Sequence, residues 1–139
     1  MSTAMVFAAG PVPLFWRRSF PGVPEQARTV RRFAACLLDG CPYLDDVLLA
    51  ADELVVNAIR HTKSGEGGTF TVEVMRGANG VAVSVADQGG PGGVVVRDAG
   101  ELDESGRGLK TVASIAASWS WHGNEDGRTV TAVFVGEWL

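Results

Sequence analysis

Glu53, Asn57 and His61 follow one another at four-residue intervals, a spacing that stacks them on one face of a helix. A glutamate can take a proton, and an asparagine amide oxygen can hold a hard cation such as magnesium, so the stripe suits the wall of a cleft. It equally suits a solvated face, with His61 at a helix C-terminus where the dipole favours it. Asp87 ends an apolar run and is followed by Gly89 and Gly90. A carboxylate there can accept a hydrogen bond from a ligand's amino group beside bare backbone, or it can simply begin an Asp turn. In "ESGRGLKTV" (104–112), Gly106 and Gly108 flank Arg107 just before Leu109 and an apolar, helix-like run. Glycine inside a helix costs about 0.5 to 1 kcal/mol relative to alanine, so the pair reads as a turn with uncovered backbone, either a phosphate cradle or an ordinary loop. The "GLKT" at 108–111 lacks the spacing of a P-loop. Thr129 follows Gly127 and Arg128 and opens a final strand pattern, where a β-branched residue is ordinary.

Hydrophobic periodicity supplies the frame for these residues. "LFWRRSF" (14–20) reads as a strand, and "PEQARTVRRFAACLL" (24–38) as a helix with Pro24 in its first turn and Gly40 beyond its end. Val30, Phe33, Ala34, Leu37 and Leu38 form its apolar face, and Arg28, Arg31 and Arg32 lie mainly elsewhere. A second helix spans about Tyr43 to His61, with Asp45 and Asp46 in its first turn. The period then drops to two: "TFTVEVM" (69–75) and "VAVSVAD" (81–87), joined through "GANG", make a hairpin. Residues 88–105 read as a loop. A third helix begins near Leu109, and "WSWH" and "RTVTAVFV" form a second hairpin about "GNEDG". This order implies a two-layer α/β sandwich, helices on one face of a mixed, largely antiparallel sheet.

The 139 residues fit one domain, and the 46% hydrophobic and 20% charged fractions are those of a globular chain. No uncharged apolar run reaches the roughly 18 to 20 residues a membrane helix needs, and "MSTAMVFAAGPVPLFW" has no basic n-region, so residues 1–13 read as a loose N-terminus. A net charge of −4 without a basic tail argues against nucleic acid as a direct partner. Cys36 and Cys41 are too few for a disulfide framework and are not spaced as CxxC; free buried thiols and a cytoplasmic location are expected. Ten of the twelve basic residues are arginine, a codon signature of a bacterial source.

Taken in order, "ELVVNAIRH" (53–61), "DQGGPG" (87–92), "GRGL" (106–109) and "GRTVTAVF" (127–134) resemble the N, G1 and G2 boxes and closing strand of the GHKL ATPase superfamily. The likeness covers nearly the whole chain. In size and spacing it is similar to the stand-alone bacterial anti-sigma-factor serine/threonine kinases and their ATP-binding relatives. The resemblance implies a Bergerat-type fold that binds ATP with magnesium. By it, Asn57 holds the metal and Glu53 is the general base. Asp87 binds the adenine amino group, Gly89 lets the base approach, and Thr129 completes its pocket. The segment Gly106, Arg107, Gly108 and Leu109 receives phosphate at a helix N-terminus, and residues 91–105 form the lid. Two departures stand out: Pro91 sits where the G1 pattern has glycine, and the lid is short.

Two functions follow from the resemblance. One is a kinase that uses ATP to phosphorylate an antagonist (anti-anti-sigma) protein and also binds a sigma factor. The other is a module that holds ATP or ADP and a protein partner with little or no transfer. Glu53 and Asn57 together favour the first, while Pro91 and the short lid favour the second. A histidine autokinase is disfavoured, because only His61 and His122 exist and no separate helical segment carries them. A homodimer is left open.

Overall fold

The computed structural model describes residues 13–90 and 104–138, with side chains from Gly108 onward in the second stretch. The elements are β1 (Leu14–Pro21), α1 (Gln26–Leu37), α2 (Leu44–His61), a 3₁₀ turn (Lys63–Gly65), β2 (Thr69–Gly77), β3 (Gly80–Asp87), α3 (Glu104–Ile115), β4 (Ser118–Asn124) and β5 (Gly127–Val135). The strands form one sheet in the order β1-β2-β3-β5-β4, antiparallel at all four junctions. Three helices pack on one face, the two-layer sandwich that the periodicity implies.

The sheet's two-residue period decides which side chains meet the helices. Phe70, Val72 and Val74 of β2, Val81, Val83 and Val85 of β3, and Val130, Ala132 and Phe134 of β5 are buried in a core shared with Val47, Ala50, Ala51, Leu54, Val55 and Ala58 of α2. Phe20 closes the β1 side, stacked on Phe70 at 5.6 Å and edge-on to Phe33 at 5.9 Å. The other face carries hydroxyl pairs, Ser19 with Thr71 at 2.8 Å and Ser84 with Thr131 at 2.7 Å, around a small patch of Ala82, Val133 and Met75. Arg31, off the apolar face of α1, reaches across to Asp52 of α2 at 2.5 Å and ties the first two helices together.

Four details differ from the expectations. Cys36 is exposed, because it lies off the apolar face that buries Val30 and Ala34; Cys41 alone is buried. Pro24 precedes α1 rather than entering its first turn. The 3₁₀ turn after α2 was not anticipated. Helix α3 begins at Glu104, so Gly106 lies within its first turn and Gly108 is its fifth residue, rather than both preceding it. Packing of Leu109 and Val112 into the core outweighs the low helix propensity of two glycines. The proposed lid and N-terminal arm fall largely on 91–103 and 1–12, outside the described residues.

Candidate functional site

Helix α2 is amphipathic, and its buried face leaves Glu53 and Asn57 half-buried on the flank that meets α3. The two helices touch closely at one point: a Cβ on Gly108 would stand 2.5 Å from Glu53 Oε2. Glycine at 108 is therefore the steric condition for this carboxylate to lie where it does. Burial pushes the Glu53 carboxyl above its ordinary value, the neighbouring Asp52 raises it further, and Arg60 opposes both. A carboxyl so placed takes up a proton more readily than one in water. His61, two turns beyond Glu53, is exposed at the end of α2.

Along α2 from Glu53 toward His61, about 12 Å of helix leads to the turn that follows β3. Asp87 is buried at 8% exposure, and its Oδ1 accepts the Gly89 N–H at 2.7 Å. Burial raises its carboxyl above the ordinary value; the Gly89 N–H, the Arg128 guanidinium and the Arg128 backbone N–H act in the opposite direction. Gly89 has φ +76°, and a Cβ there would lie 2.1 Å from the Glu125 carbonyl oxygen in the β4–β5 turn. The position requires glycine on backbone grounds alone.

The 3₁₀ turn that sequence reasoning missed holds this segment. Thr62 donates to the Ala58 carbonyl at 2.6 Å and accepts from the Ser64 N–H at 3.1 Å. The fully buried Ser64 accepts the Gln88 N–H at 2.9 Å, and Lys63 N–H donates to the Gly89 carbonyl at 2.7 Å. Gln88 in turn accepts from the Thr69 N–H at 2.9 Å. The signal was present in "HTKSG" (61–65): two hydroxyl residues and a glycine directly after a helix are cap and turn chemistry.

The remaining site residues divide. Leu109 is buried at 1% exposure in the core beneath α3. Gly106 and Arg107 lie in the first turn of α3, the part of a helix whose N–H groups are available to an anion; the Arg107 side chain lies outside the described residues. Thr129 pairs with Ala86, in phase with Thr131 on the face away from the helices. Val130, Ala132 and Phe134 fill the core, and the period of two then places Arg128 inward. Arg128 is paired with Asp87 in register, 4% exposed, and donates to the Gly90 carbonyl.

No group of three or more His, Cys, Asp or Glu among the described residues forms a metal cage. Asn57 fits a magnesium ion held mainly by water and ligand oxygens, the usual manner for that metal at phosphate sites. A cavity of about 300 Å³ between Tyr43, Asp46, Ile115 and Phe134 opens at the other end of the sheet and contains none of these residues. Among the described residues no helix is long and apolar enough to cross a membrane.

In fold the chain is similar to a chain of the SiaB–SiaC complex from Pseudomonas aeruginosa, with a TM-score of 0.51 at 19% identity, over 86% of this chain and 89% of that one. No curated protein matches it in sequence. The model of the histidine kinase-like ATPase domain matches residues 20–134, from Phe20 at the end of β1 to Phe134 near the end of β5. That span holds α2 with Glu53 and Asn57, the Asp87 turn and the glycines of α3, and through it the chain belongs to the histidine kinase-like ATPase domain family.

Proposed function

We propose that the protein binds ATP with magnesium and acts as a regulatory serine/threonine kinase of the anti-sigma-factor type, phosphorylating an antagonist protein and binding a sigma factor. Family membership supports the nucleotide. The observation that carries the transfer reading is Glu53, half-buried against Gly108 with its carboxyl raised by burial. In this reading Glu53 removes the proton from the attacking hydroxyl of the substrate protein and holds it. Asp87 accepts a hydrogen bond from the adenine amino group, and the first turn of α3 offers N–H groups to phosphate. Asn57 holds the magnesium ion, which supplies charge neutralisation on the phosphates.

A second reading, nucleotide and partner binding with little transfer, draws on Pro91, which stands where the resembling pattern has glycine.

Labelled ATP, magnesium and candidate antagonists from the same genome separate the two. For a kinase, Glu53→Gln keeps ADP affinity while transfer falls roughly 10²- to 10⁴-fold, as expected on loss of a general base. For a binding module, the wild type already transfers nothing. Asp87→Asn turns part of the buried acceptor into a donor and should weaken ADP binding by roughly 1 to 3 kcal/mol. Unchanged affinity in calorimetry would remove Asp87 from the site.

A further inference from the structure

Arg128 is used by no step above, yet it is among the few charged side chains buried in the described chain. It faces inward from β5, directly across the β3–β5 ladder from Asp87, and donates to the Gly90 carbonyl. Its backbone N–H also bonds the Asp87 carboxylate. Burying a guanidinium is expensive unless its charge and donors are used, and arginine's planar fork suits holding two places at once. The Asp87–Gly90 turn is thus fixed on one side by Ser64 and Lys63 and on the other by Arg128.

We propose that Arg128 is the positioning residue of the base end of the site: its guanidinium staples the Asp87–Gly90 turn to β5 and places a positive charge by the Asp87 carboxylate, so that the turn presents an ionised acceptor to a ligand's amino group. The binding part of this inference rests on the proposed nucleotide function. Arg128, not its neighbour Thr129, is the residue in register with Asp87. Other ionisable groups on the surrounding described elements include Arg60 and His61 at the end of α2, Lys63 of the 3₁₀ turn, His122 of β4, and Glu125 and Asp126 of the β4–β5 turn; all of these are exposed, whereas Arg128 is buried with Asp87.

The sign follows from burial. Desolvation already pushes the Asp87 carboxyl up, and Arg128 opposes it; without the guanidinium the carboxyl protonates at a higher pH and becomes a weaker, neutral acceptor with an O–H donor of its own. Two measurements test this on the full chain. The first follows the Asp87 side-chain carbon by NMR in wild type, Arg128→Lys and Arg128→Met, with no nucleotide added. Arg128→Met should raise the Asp87 midpoint, and Arg128→Lys, which keeps the charge, should leave it near wild type. The second measures ADP affinity with magnesium by calorimetry over a pH series that spans the Asp87 midpoints found in the first. Below both midpoints Arg128→Met should bind about tenfold more weakly for each unit by which its Asp87 midpoint is raised, and recover as the pH rises. Arg128→Lys should retain the wild-type profile.

An Asp87 midpoint equal in wild type and Arg128→Met would overturn the inference, as would a wild-type pH profile of affinity in that variant. If Arg128→Met does not fold, Arg128→Lys decides alone: a displaced Asp87 midpoint despite the retained charge refutes the electrostatic role. A wild type that binds no ADP would refute the proposed function, and the titration of Asp87 would still judge Arg128.

Discussion

Gly108→Ala isolates the contact between α3 and Glu53. The added Cβ would lie 2.5 Å from Glu53 Oε2, whereas ordinary contact begins near 3.4 Å, so the carboxylate must retreat by about 0.9 Å. It is the far end of a flexible side chain and can do so by leaving its preferred rotamer, at a cost of about 0.5 to 1.5 kcal/mol. Against this, alanine in a helix is favoured over glycine by about 0.5 to 1 kcal/mol. Urea denaturation should find the variant within about 1 kcal/mol of wild type, the two effects nearly cancelling. Transfer to an antagonist should nevertheless drop on the order of 10²-fold, because a displacement of this size misplaces the proposed base. A second background removes the clash: in Glu53→Ala the nearest remaining atom, the Glu53 Cβ position at 3.8 Å, is at normal contact. There Gly108→Ala should stabilise by the full helix term, about 0.5 to 1 kcal/mol. A loss above about 2 kcal/mol in the wild-type background, or equal effects in both backgrounds, would refute the proposed packing of Glu53 on Gly108.

Gly89→Ala combines a φ of +76° with a Cβ 2.1 Å from a backbone carbonyl that cannot swing aside, so it should destabilise markedly and lower ADP affinity; a Tm and an affinity like wild type would contradict the described turn. Tyr43 is the chain's single tyrosine, half-buried with its hydroxyl donating to the Gly136 carbonyl at 2.9 Å, and this burial followed by the Cys41 charge pushes it up to about 12. Absorbance titration should therefore show the folded chain keeping a neutral phenol well past the ordinary range; a midpoint near the ordinary 10 would show the phenol open to water. Tyr43→Phe should lose about 1 kcal/mol in urea denaturation, the net worth of one hydrogen bond.

Much of the fold was legible because the strands carry a clean period of two and α2 a clean helical face. Alternation in "TFTVEVM" and "VAVSVAD" located both strands of the first hairpin and the side they bury. Local propensity misplaced the start of α3: glycines at 106 and 108 look like a turn in isolation, and only the approach of Glu53 explains why one of them must lie within the helix. The inward place of Arg128, next to Thr129, was hidden for a different reason. A motif aligns residues by type, but the face of a strand is set by phase, and the phase of β5 is fixed by Val130, Ala132 and Phe134, which put Arg128 inward. The hydroxyl network after α2 had a local signal in "HTKSG", but its tie to the end of β3 had none, because the partners of Ser64 and Lys63, Gln88 and Gly89, lie more than twenty residues further along the chain.

That network also has a mechanical meaning. The last turn of α2, the 3₁₀ turn and the segment after β3 are joined by short bonds through a fully buried serine, with glycine backbones too close for side chains to intervene. The turn that bears Asp87 is thereby coupled through its backbone to the last turn of the helix that carries Asn57 and Glu53, so a displacement of one would have to break or carry along these bonds.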